Sequence, residues 1–406
     1  MICVIRRQVL FQIVGAAALL SAVPPAGTAQ PIESLRVMTY NIWGGGLASG
    51  LPISRTVGVI QAAQADVVGI QEQGGNGAAI AATLGFHYHN LGGSTAILSR
   101  YPIVQGLSQG AKLQLSPTQE AYIFDVHFAP EPYQPYDIQD GLITTESQAI
   151  ASAQATRGSS VTSLLGGMSS VLSSGQPVFL TGDFNEPSHL DWTAEAAGAG
   201  LNFGMKVDWP TSRVVTGAGL VDAFRALRPD EVTDRGETWT PGYPAPNVAT
   251  NEVHDRIDFV YYTGINVTAT SALVIGYDAN DPNTDIGLQP YPSDHRSVVV
   301  EFDIPACSLP GDFNGSCTIT ADDWSLFRAG QHGDFSGLTP NEAYLHGDLN
   351  GDFRNDHADF VLFKTAFDAA NGAGAFAALL IAVPEPSSAI PAGWLVFVWL
   401  YRTRRR

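Results

Sequence analysis

Short β-type runs alternate with helical or loop-rich stretches between Leu35 and Ile304, and this alternation restricts the fold more than any other feature of the sequence. The β-type runs are "LRVMTYNI", "DVVGIQE", "STAILS", "AYIFDVHF", "PVFLTGDF", "RIDFVYY" and "SVVVEFDI". Between them, "ISRTVGVIQAAQA" predicts a helix, and the Ala-, Ser- and Leu-rich segment from Gln148 to Ser174 predicts a long surface helix. Strands interleaved with helices predict an α/β domain whose sheets are covered by helices.

Polar side chains stand at the ends of these predicted strands. They are Asn41 in "TYNI", Glu72 in "GIQEQ", His127 in "DVHF", Asp183 and Asn185 in "TGDFNEP", Asp258 in "DRIDFV", and Asp294 and His295 in "PSDHR". Each has an ordinary explanation when taken alone, such as a turn residue, a hydrogen-bonded strand histidine or an ion-pair partner. Together they indicate one site, because loops held by a rigid sheet tend to carry function.

The order Asn, Glu, His, Asp-x-Asn, Asp, Asp-His resembles the endonuclease/exonuclease/phosphatase superfamily, which comprises metal-dependent phosphoesterases related to type I deoxyribonuclease. The resemblance covers residues 35–304 and implies a four-layer α/β/β/α sandwich of two packed sheets, with the active site at one edge. It also implies a divalent cation, Mg²⁺ or Mn²⁺, since these ions prefer a carboxylate together with waters and substrate oxygens. Glu72 is the expected metal ligand, Asn41 a ligand or orienting residue beside it, and Asp294 a residue linked to the metal directly or through water.

The remaining polar residues suit the hydrolysis of a phosphate ester, which needs a positioned water and donors for the charge of the transition state. Asp183 is expected to act as the general base, and Asn185 to hold the attacking water or a phosphoryl oxygen. His295 would donate to the phosphoryl oxygen as a cation, with Asp258 bonded to its other ring nitrogen. His127 would be a second phosphate donor.

The substrate remains open between nucleic acid, a phospholipid head group and a small phosphoester. A formal net charge of −18 argues against a strongly basic surface for nucleic acid. Tyr133, Tyr136, His189 and Trp192 follow the polar motifs, where they would either contact the substrate or pack in loops. The chain is expected to be an exported phosphodiesterase or phosphomonoesterase; a secreted nuclease and a catalytically silent binding protein are the alternatives.

An internal repeat follows Pro305. "GDFNGSCTITADDWSLFR" and "GDLNGDFRNDHADFVLFK" match at an offset of 36 residues, from Asp312 to Asp348. Both copies fit a calcium loop with oxygen ligands at positions 1, 3, 5, 9 and 12, although Cys317 and Phe353 replace the turn glycine at position 6. Residues 307–370 resemble a dockerin type I domain, which implies Ca²⁺ and either a cohesin-like protein partner or a structural calcium module. The expected ligands are Asp312, Asn314, Ser316, Thr320 and Asp323 in the first loop, and Asp348, Asn350, Asp352, Asp356 and Asp359 in the second.

Both ends of the chain carry features of exported proteins. Residues 1–29 have the basic start, apolar run and small-residue end of an export signal. Residues 382–406 contain "VPEPSS", a short apolar run and terminal arginines, and resemble a PEP-CTERM sorting signal, which implies an exosortase-type processing enzyme. A periplasmic, outer-surface or extracellular location is therefore expected, with transient anchoring through the C-terminal segment. Loss of the signal would leave Cys307 and Cys317, whose pairing the sequence leaves open.

Overall fold

Two mixed β-sheets pack face to face in the part of the chain that the computed structural model describes, residues 33–382. The seven-stranded sheet has the order β12 (Ile286–Gly287), β11 (Thr268–Gly276), β13 (Ser297–Ile304), β1 (Glu33–Asn41), β2 (Val67–Gln71), β4 (Thr95–Ser99) and β3 (His87–Gly92). The six-stranded sheet has the order β5 (Ile103–Leu107), β6 (Gly110–Ser116), β7 (Gln119–His127), β8 (Val178–Asp183), β10 (Asp258–Thr263) and β9 (Val221–Asp222). Strands β1 and β2 are parallel, as are β7 and β8, whereas β13 and β10 run antiparallel to β1 and β8.

Strand alternation divides the apolar residues between the inner and outer faces of each sheet. Val37 of β1 and Phe179 of β8 point into the core between the sheets. Their neighbours Met38 and Leu180 point outward to the helix-covered faces. The predicted α/β/β/α sandwich is therefore confirmed.

The helices cover the outer faces and supply the connections. Before β9 they are α1 (Trp43–Gly46), α2 (Ser54–Ala63), α3 (Gly77–Leu84), α4 (Gln134–Gln139), α5 (Glu146–Leu172), α6 (Ala194–Gly198), a 3₁₀ turn (Asn202–Gly204) and α7 (Pro210–Gly217), and α8 (Ala223–Leu227) follows β9. The predicted long helix is α5, which begins at Glu146 rather than Gln148. The start is earlier because Thr145 and Gln148 cap each other's backbone N–H groups.

Each strand predicted from sequence is present, but β3, β5, β6, β9, β11 and β12 were not predicted. Strands β5 and β3 lie at sheet edges and carry polar or glycine residues instead of a clear apolar alternation. They form strands because they pair through their backbones with the neighbouring strands β4 and β6, so their β-structure depends on this context and not on an apolar pattern of their own.

A helical region follows β13 and contains the sequence repeat. Its helices are α9 (Ala321–Ala329), α10 (Pro340–Leu345), α11 (His357–Asn371) and α12 (Ala375–Ala382). Phe313, Trp324, Phe327, Tyr344 and Phe363 form its aromatic core. Cys307 and Cys317 are joined in a disulfide with their Cα atoms 5.7 Å apart, which ties the chain leaving β13 to the first repeat loop.

Candidate active site

Strand direction brings the predicted polar residues to one edge of the sandwich. Asn41 ends β1, His127 ends β7 and Asp183 ends β8, whereas Asp258 begins the antiparallel strand β10. His127 and Asp258 both lie directly opposite Asp183 in the sheet register. The carboxyl ends of β1, β2, β7 and β8 therefore meet the amino ends of β10 and β13 at this edge.

Asp183 is the centre of the site. Its Oδ2 accepts a hydrogen bond from Asn41 Nδ2 at 2.9 Å and lies 3.5 Å from His127 Nε2 and 3.7 Å from His295 Nε2. Its Oδ1 accepts the backbone N–H of Asn185 at 2.9 Å. The Asp183 side chain is buried, so this carboxylate faces the two histidines with little solvent between them.

His295 and Asp258 form a buried pair behind that carboxylate. The His295 Nδ1 atom lies 2.9 Å from Asp258 Oδ2. Burial by itself would lower the pKa of His295, but the carboxylates of Asp258 and Asp183 more than offset it and raise the pKa to about 10. His295 is therefore an imidazolium at neutral pH, with Nε2 on the side of Asp183 and the cleft.

Side chains with oxygen atoms that could ligate a cation lie next to the His295–Asp258 pair. Asn41 Nδ2 is 3.4 Å from Glu72 Oε1, and Glu72 Oε2 accepts the backbone N–H of Gly44 at 2.8 Å. Asp294 Oδ1 is buried and has no hydrogen-bond partner among the described residues. Burial raises the pKa of Asp294 to about 6. The charge of His295 opposes this rise, and the nearby charge of Glu72 adds to it. A buried carboxylate with an unpartnered oxygen beside a second carboxylate fits a divalent cation.

A second set of atoms also has metal-binding spacing. Ligand atoms of Asp183, Asp258 and His295 lie within 4.8 Å of one another. Here, however, His295 Nδ1 already shares a hydrogen bond with Asp258, so this spacing follows from the acid–histidine pair. We therefore favour the group containing Glu72 and Asp294 as the cation site.

The two remaining predicted residues also reach this edge. His127 Nδ1 lies 2.9 Å from the Ser94 hydroxyl, which orients its Nε2 toward Asp183. Asn185 Nδ2 donates to the Phe128 carbonyl at 3.1 Å, and Asn185 has a φ of 49°. Glu72 also has a positive φ, of 54°. Such left-handed backbone is strained for these residues and is found at functional sites when the surrounding structure enforces it.

The residues open onto a cleft of about 250 Å³. Tyr133 and Tyr136 line it, which is one of the two alternatives that the sequence left open. Trp43 and Trp239 also line it and were not predicted to do so. His189 and Trp192 are instead buried away from the cleft, where they bond to Ser212 and Asp255 respectively. No local sequence pattern indicated that Trp239 would line the cleft. Its position depends on backbone pairing with Asp255 and His295, which lie further along the sequence.

The two repeat loops are folded around their first and last acidic residues. Asp312 accepts the backbone N–H groups of Ser316 and Cys317, and Asp348 accepts those of Gly351, Asp352 and Phe353. Cys317 and Phe353 have φ values of 62° and 63°, so position 6 takes the left-handed turn without glycine. In the second loop, carboxylate oxygens of Asp348, Asp352 and Asp359 lie within 4.8 Å of one another. The first loop has Ser316 at position 5, so it offers fewer charged oxygens.

The predicted export signal, residues 1–29, and nearly all of the predicted sorting signal, residues 382–406, lie outside the described residues. Within residues 33–382, none of the helices combines the length and apolar character needed to span a bilayer.

Several known proteins are similar to this chain in sequence or in structure. An uncharacterized Caenorhabditis elegans protein, F14F9.5, is 27% identical over 295 residues, which cover 66% of this chain and 91% of that protein. Among solved structures, an endonuclease/exonuclease/phosphatase from Beutenbergia cavernae is 17% identical with a TM-score of 0.42, covering 67% of this chain and 72% of the other. An AP endonuclease from Archaeoglobus fulgidus is 15% identical with a TM-score of 0.43, covering 66% and 100%.

The sequence profile of the Endonuclease/Exonuclease/phosphatase family matches residues 38–295. The matched range starts in β1 and ends at His295, so it includes all the candidate site residues described above. The chain therefore belongs to the endonuclease/exonuclease/phosphatase family, the hydrolases that act on phosphate-ester bonds.

Proposed function

We propose that the chain is an exported phosphodiesterase that depends on a divalent cation, Mg²⁺ or Mn²⁺. The observation that carries the proposal is the buried Asp183 carboxylate, which lies between His127 and the His295–Asp258 pair in an open cleft. Glu72, Asp294 and Asn41 are the residues that would hold the cation. When bound there, it would neutralise charge on the phosphate and on the leaving oxygen.

The side chains divide the remaining work of hydrolysis. Asp183 takes a proton from the attacking water, whose oxygen bonds to phosphorus as the bond to the departing alcohol breaks. The departing oxygen takes up a proton from solvent water, and Asp183 returns its own proton to solvent, so that the products are an alcohol and a phosphomonoester. His295 and His127 donate hydrogen bonds to the phosphoryl oxygens, and the charge of His295 is maintained by Asp258. Asn41, which donates to Asp183, keeps the base oriented.

The C-terminal helical region is proposed to be a dockerin-like calcium module. The second loop, which has three clustered carboxylates, would bind Ca²⁺ more tightly than the first. Calorimetric titration with Ca²⁺ tests this, with Asp352→Ala expected to remove the tighter site and Ser316→Ala to leave it. A cohesin-like partner is proposed on resemblance alone, as is exosortase processing of the C-terminal segment.

Export is part of the proposal and rests on the sequences of residues 1–29 and 382–406. Fractionation of cells that produce the full chain tests it. Recovery of the processed protein outside the cytoplasm is expected, and an unprocessed protein in the cytoplasm would contradict it.

Hydrolysis of bis-p-nitrophenyl phosphate and of p-nitrophenyl phosphate by the mature protein tests the catalytic proposal. Activity on the diester is expected with Mg²⁺ or Mn²⁺ and should be lost with EDTA. His295→Ala should also abolish it, whereas His87→Ala, at an exposed histidine on β3, should keep it. Activity on the monoester alone would indicate a phosphatase. Activity that EDTA and His295→Ala leave intact would refute the proposed site, and a silent protein would favour the binding-protein alternative.

A further inference from the structure

One side of the cleft is built from aromatic rings. Tyr133, Tyr136 and Trp239 line it, and Tyr243 stacks on Trp239 with ring centroids 6.0 Å apart and an interplanar angle of 15°. Tyr133 and Tyr136 meet edge to face at 5.4 Å. We call these four residues the aromatic wall. They come from two separate chain segments, so something must hold the rings in one arrangement.

Glu252 is the residue that joins the two segments. Its Oε1 accepts hydrogen bonds from the Tyr136 hydroxyl and, at 2.9 Å, from Trp239 Nε1. Its Oε2 accepts the Tyr243 hydroxyl at 2.5 Å. Burial would raise the pKa of Glu252, but the bonds from Tyr136, Tyr243 and Trp239 outweigh it and lower the pKa. An ionised carboxylate therefore joins the hydroxyl and indole N–H edges of these rings and makes the rings that donate to it richer in electrons.

The wall is also fixed relative to the catalytic histidine. The Trp239 ring lies 4.9 Å from the His295 ring at an angle of 60°. The Trp239 backbone exchanges two hydrogen bonds of 3.0 Å with Asp255, and Asp255 accepts the Tyr133 hydroxyl at 2.8 Å. A group attached to a phosphate beside His295 would therefore meet the wall at a set distance and orientation.

The charges around the cleft favour a positively charged group at the wall. The described residues that line the cleft include Glu72, Glu131, Asp183 and Asp294, but no lysine or arginine. Apart from His127 and His295, which face the phosphate itself, the described lining residues offer no cationic side chain to a second phosphate on the substituent. A quaternary ammonium group, in contrast, is attracted by the faces of Trp and Tyr rings and by nearby carboxylates.

We propose that the aromatic wall binds the quaternary ammonium group of a choline-type phosphodiester, and that Glu252 is the positioning residue that sets this selectivity. The proposal rests on the phosphodiesterase function proposed above. The choline group is the substituent that stays on the phosphate after hydrolysis, and the aromatic wall is the surface that would bind it.

Three substrates that share one leaving group test the selectivity: p-nitrophenyl phosphocholine, methyl p-nitrophenyl phosphate and the p-nitrophenyl ester of thymidine 5′-phosphate. The choline ester should have a kcat/KM at least about tenfold above that of the methyl ester, within the range of a desolvated cation–π contact. Glu252→Ala should lower the choline-to-methyl ratio by about 3- to 30-fold, mainly through KM. Glu195→Ala, at an exposed glutamate of α6, should leave the ratio unchanged.

Two substitutions of Tyr136 distinguish the contribution of its aromatic ring from that of its hydrogen bond to Glu252. Tyr136→Phe keeps the ring but loses the bond to Glu252, and it should retain more of the choline preference than Tyr136→Leu. Equal loss in both variants, or a preference for the thymidine ester over the choline ester, would overturn the proposal. The second of these results would mean that the wall stacks on a nucleobase.

Choline binding provides a measurement that does not depend on turnover. Saturation-transfer NMR should show contact of the choline methyl groups with the wild-type protein and weaker contact with Glu252→Ala. If no diester is hydrolysed but choline binds in this Glu252-dependent way, the proposed function fails and the wall's ligand stands. If diesters are hydrolysed while choline neither binds nor improves kcat/KM, the function stands and the proposed ligand is overturned.

Discussion

Arg157 is a buried cation in the middle of α5 that holds the loop in front of it. Its guanidinium donates to the carbonyl oxygens of Ala129, Pro130 and Pro132 at 3.0–3.2 Å and to Gln134 Oε1 at 2.8 Å. The Arg157 side chain is fully buried, and Nη1 lies 3.8 Å from Glu186 Oε2. This loop carries Glu131 and Tyr133 into the cleft, so Arg157 connects the stability of the domain with the shape of the site.

Replacement of Arg157 by Met should destabilise the protein severely. It leaves the buried Glu186 carboxylate without its cation and removes the donor to three loop carbonyls. Breaking a buried pair by removing one partner typically costs about 3–5 kcal/mol. At roughly 2–4 °C per kcal/mol for a large domain, the melting temperature should fall by about 6–20 °C. Arg213→Met, which breaks an exposed ion pair with Asp208, should cost less than about 1 kcal/mol.

Thermal unfolding of the two single variants and of Arg157→Met/Glu186→Gln at pH 5 and pH 8 is the assay. Burial raises the pKa of Glu186 against the opposing effects of Thr211 and Arg157, and without Arg157 this pKa rises further. An acid whose pKa is raised in the folded state stabilises that state more as the pH falls. The Arg157→Met defect should therefore shrink from pH 8 to pH 5. The double variant should show no such change and should recover at least about 1 kcal/mol at pH 8.

Two results would refute this reasoning. A loss of less than about 1 kcal/mol for Arg157→Met would mean that water replaces the guanidinium at little cost. A double variant no more stable than the single one at pH 8 would mean that the Glu186 charge is not the source of the penalty.

Three further measurements test the geometry of the site and the core. Asp258→Asn should return the pKa of His295 toward about 6.5, which leaves roughly three quarters of it protonated at pH 6 but only about one thirtieth at pH 8, so the kcat/KM defect should grow by about 25-fold between those pH values; an unshifted alkaline limb would contradict the pairing. Gly69→Ala would place a Cβ 2.0 Å from Thr181 Oγ1 and should cost about 1–3 kcal/mol or more in denaturant unfolding, whereas an unchanged midpoint would show that the sheets can separate there. Burial raises the pKa of Asp255 to about 7, so wild type should lose stability relative to Asp255→Asn as the pH rises from 4 to 8, and parallel pH curves would contradict that burial effect.

Much of the candidate site was predictable because its residues follow strands that could be recognised locally. Strong β-type runs such as those of β1, β8 and β13 place their last or first polar residue at a sheet edge whatever the neighbouring strands are. The identities of Asp183, His127 and His295 then limit the chemistry to groups that exchange protons and bind phosphate. Their mutual distances could not be predicted, since these depend on the register that sets His127 and Asp258 opposite Asp183.

The sequence by itself determined the α/β class, the strand-end position of the polar residues and the two repeat loops, because periodicity, turn residues and ligand spacing are local properties. Only the tertiary structure decided that Asp294 has a buried oxygen with no partner within residues 33–382, and that His189 and Trp192 lie in the core. It also decided that Glu252 holds rings from two chain segments beside His295. Burial and long-range hydrogen bonds arise when distant segments pack, so no local pattern around these residues records them.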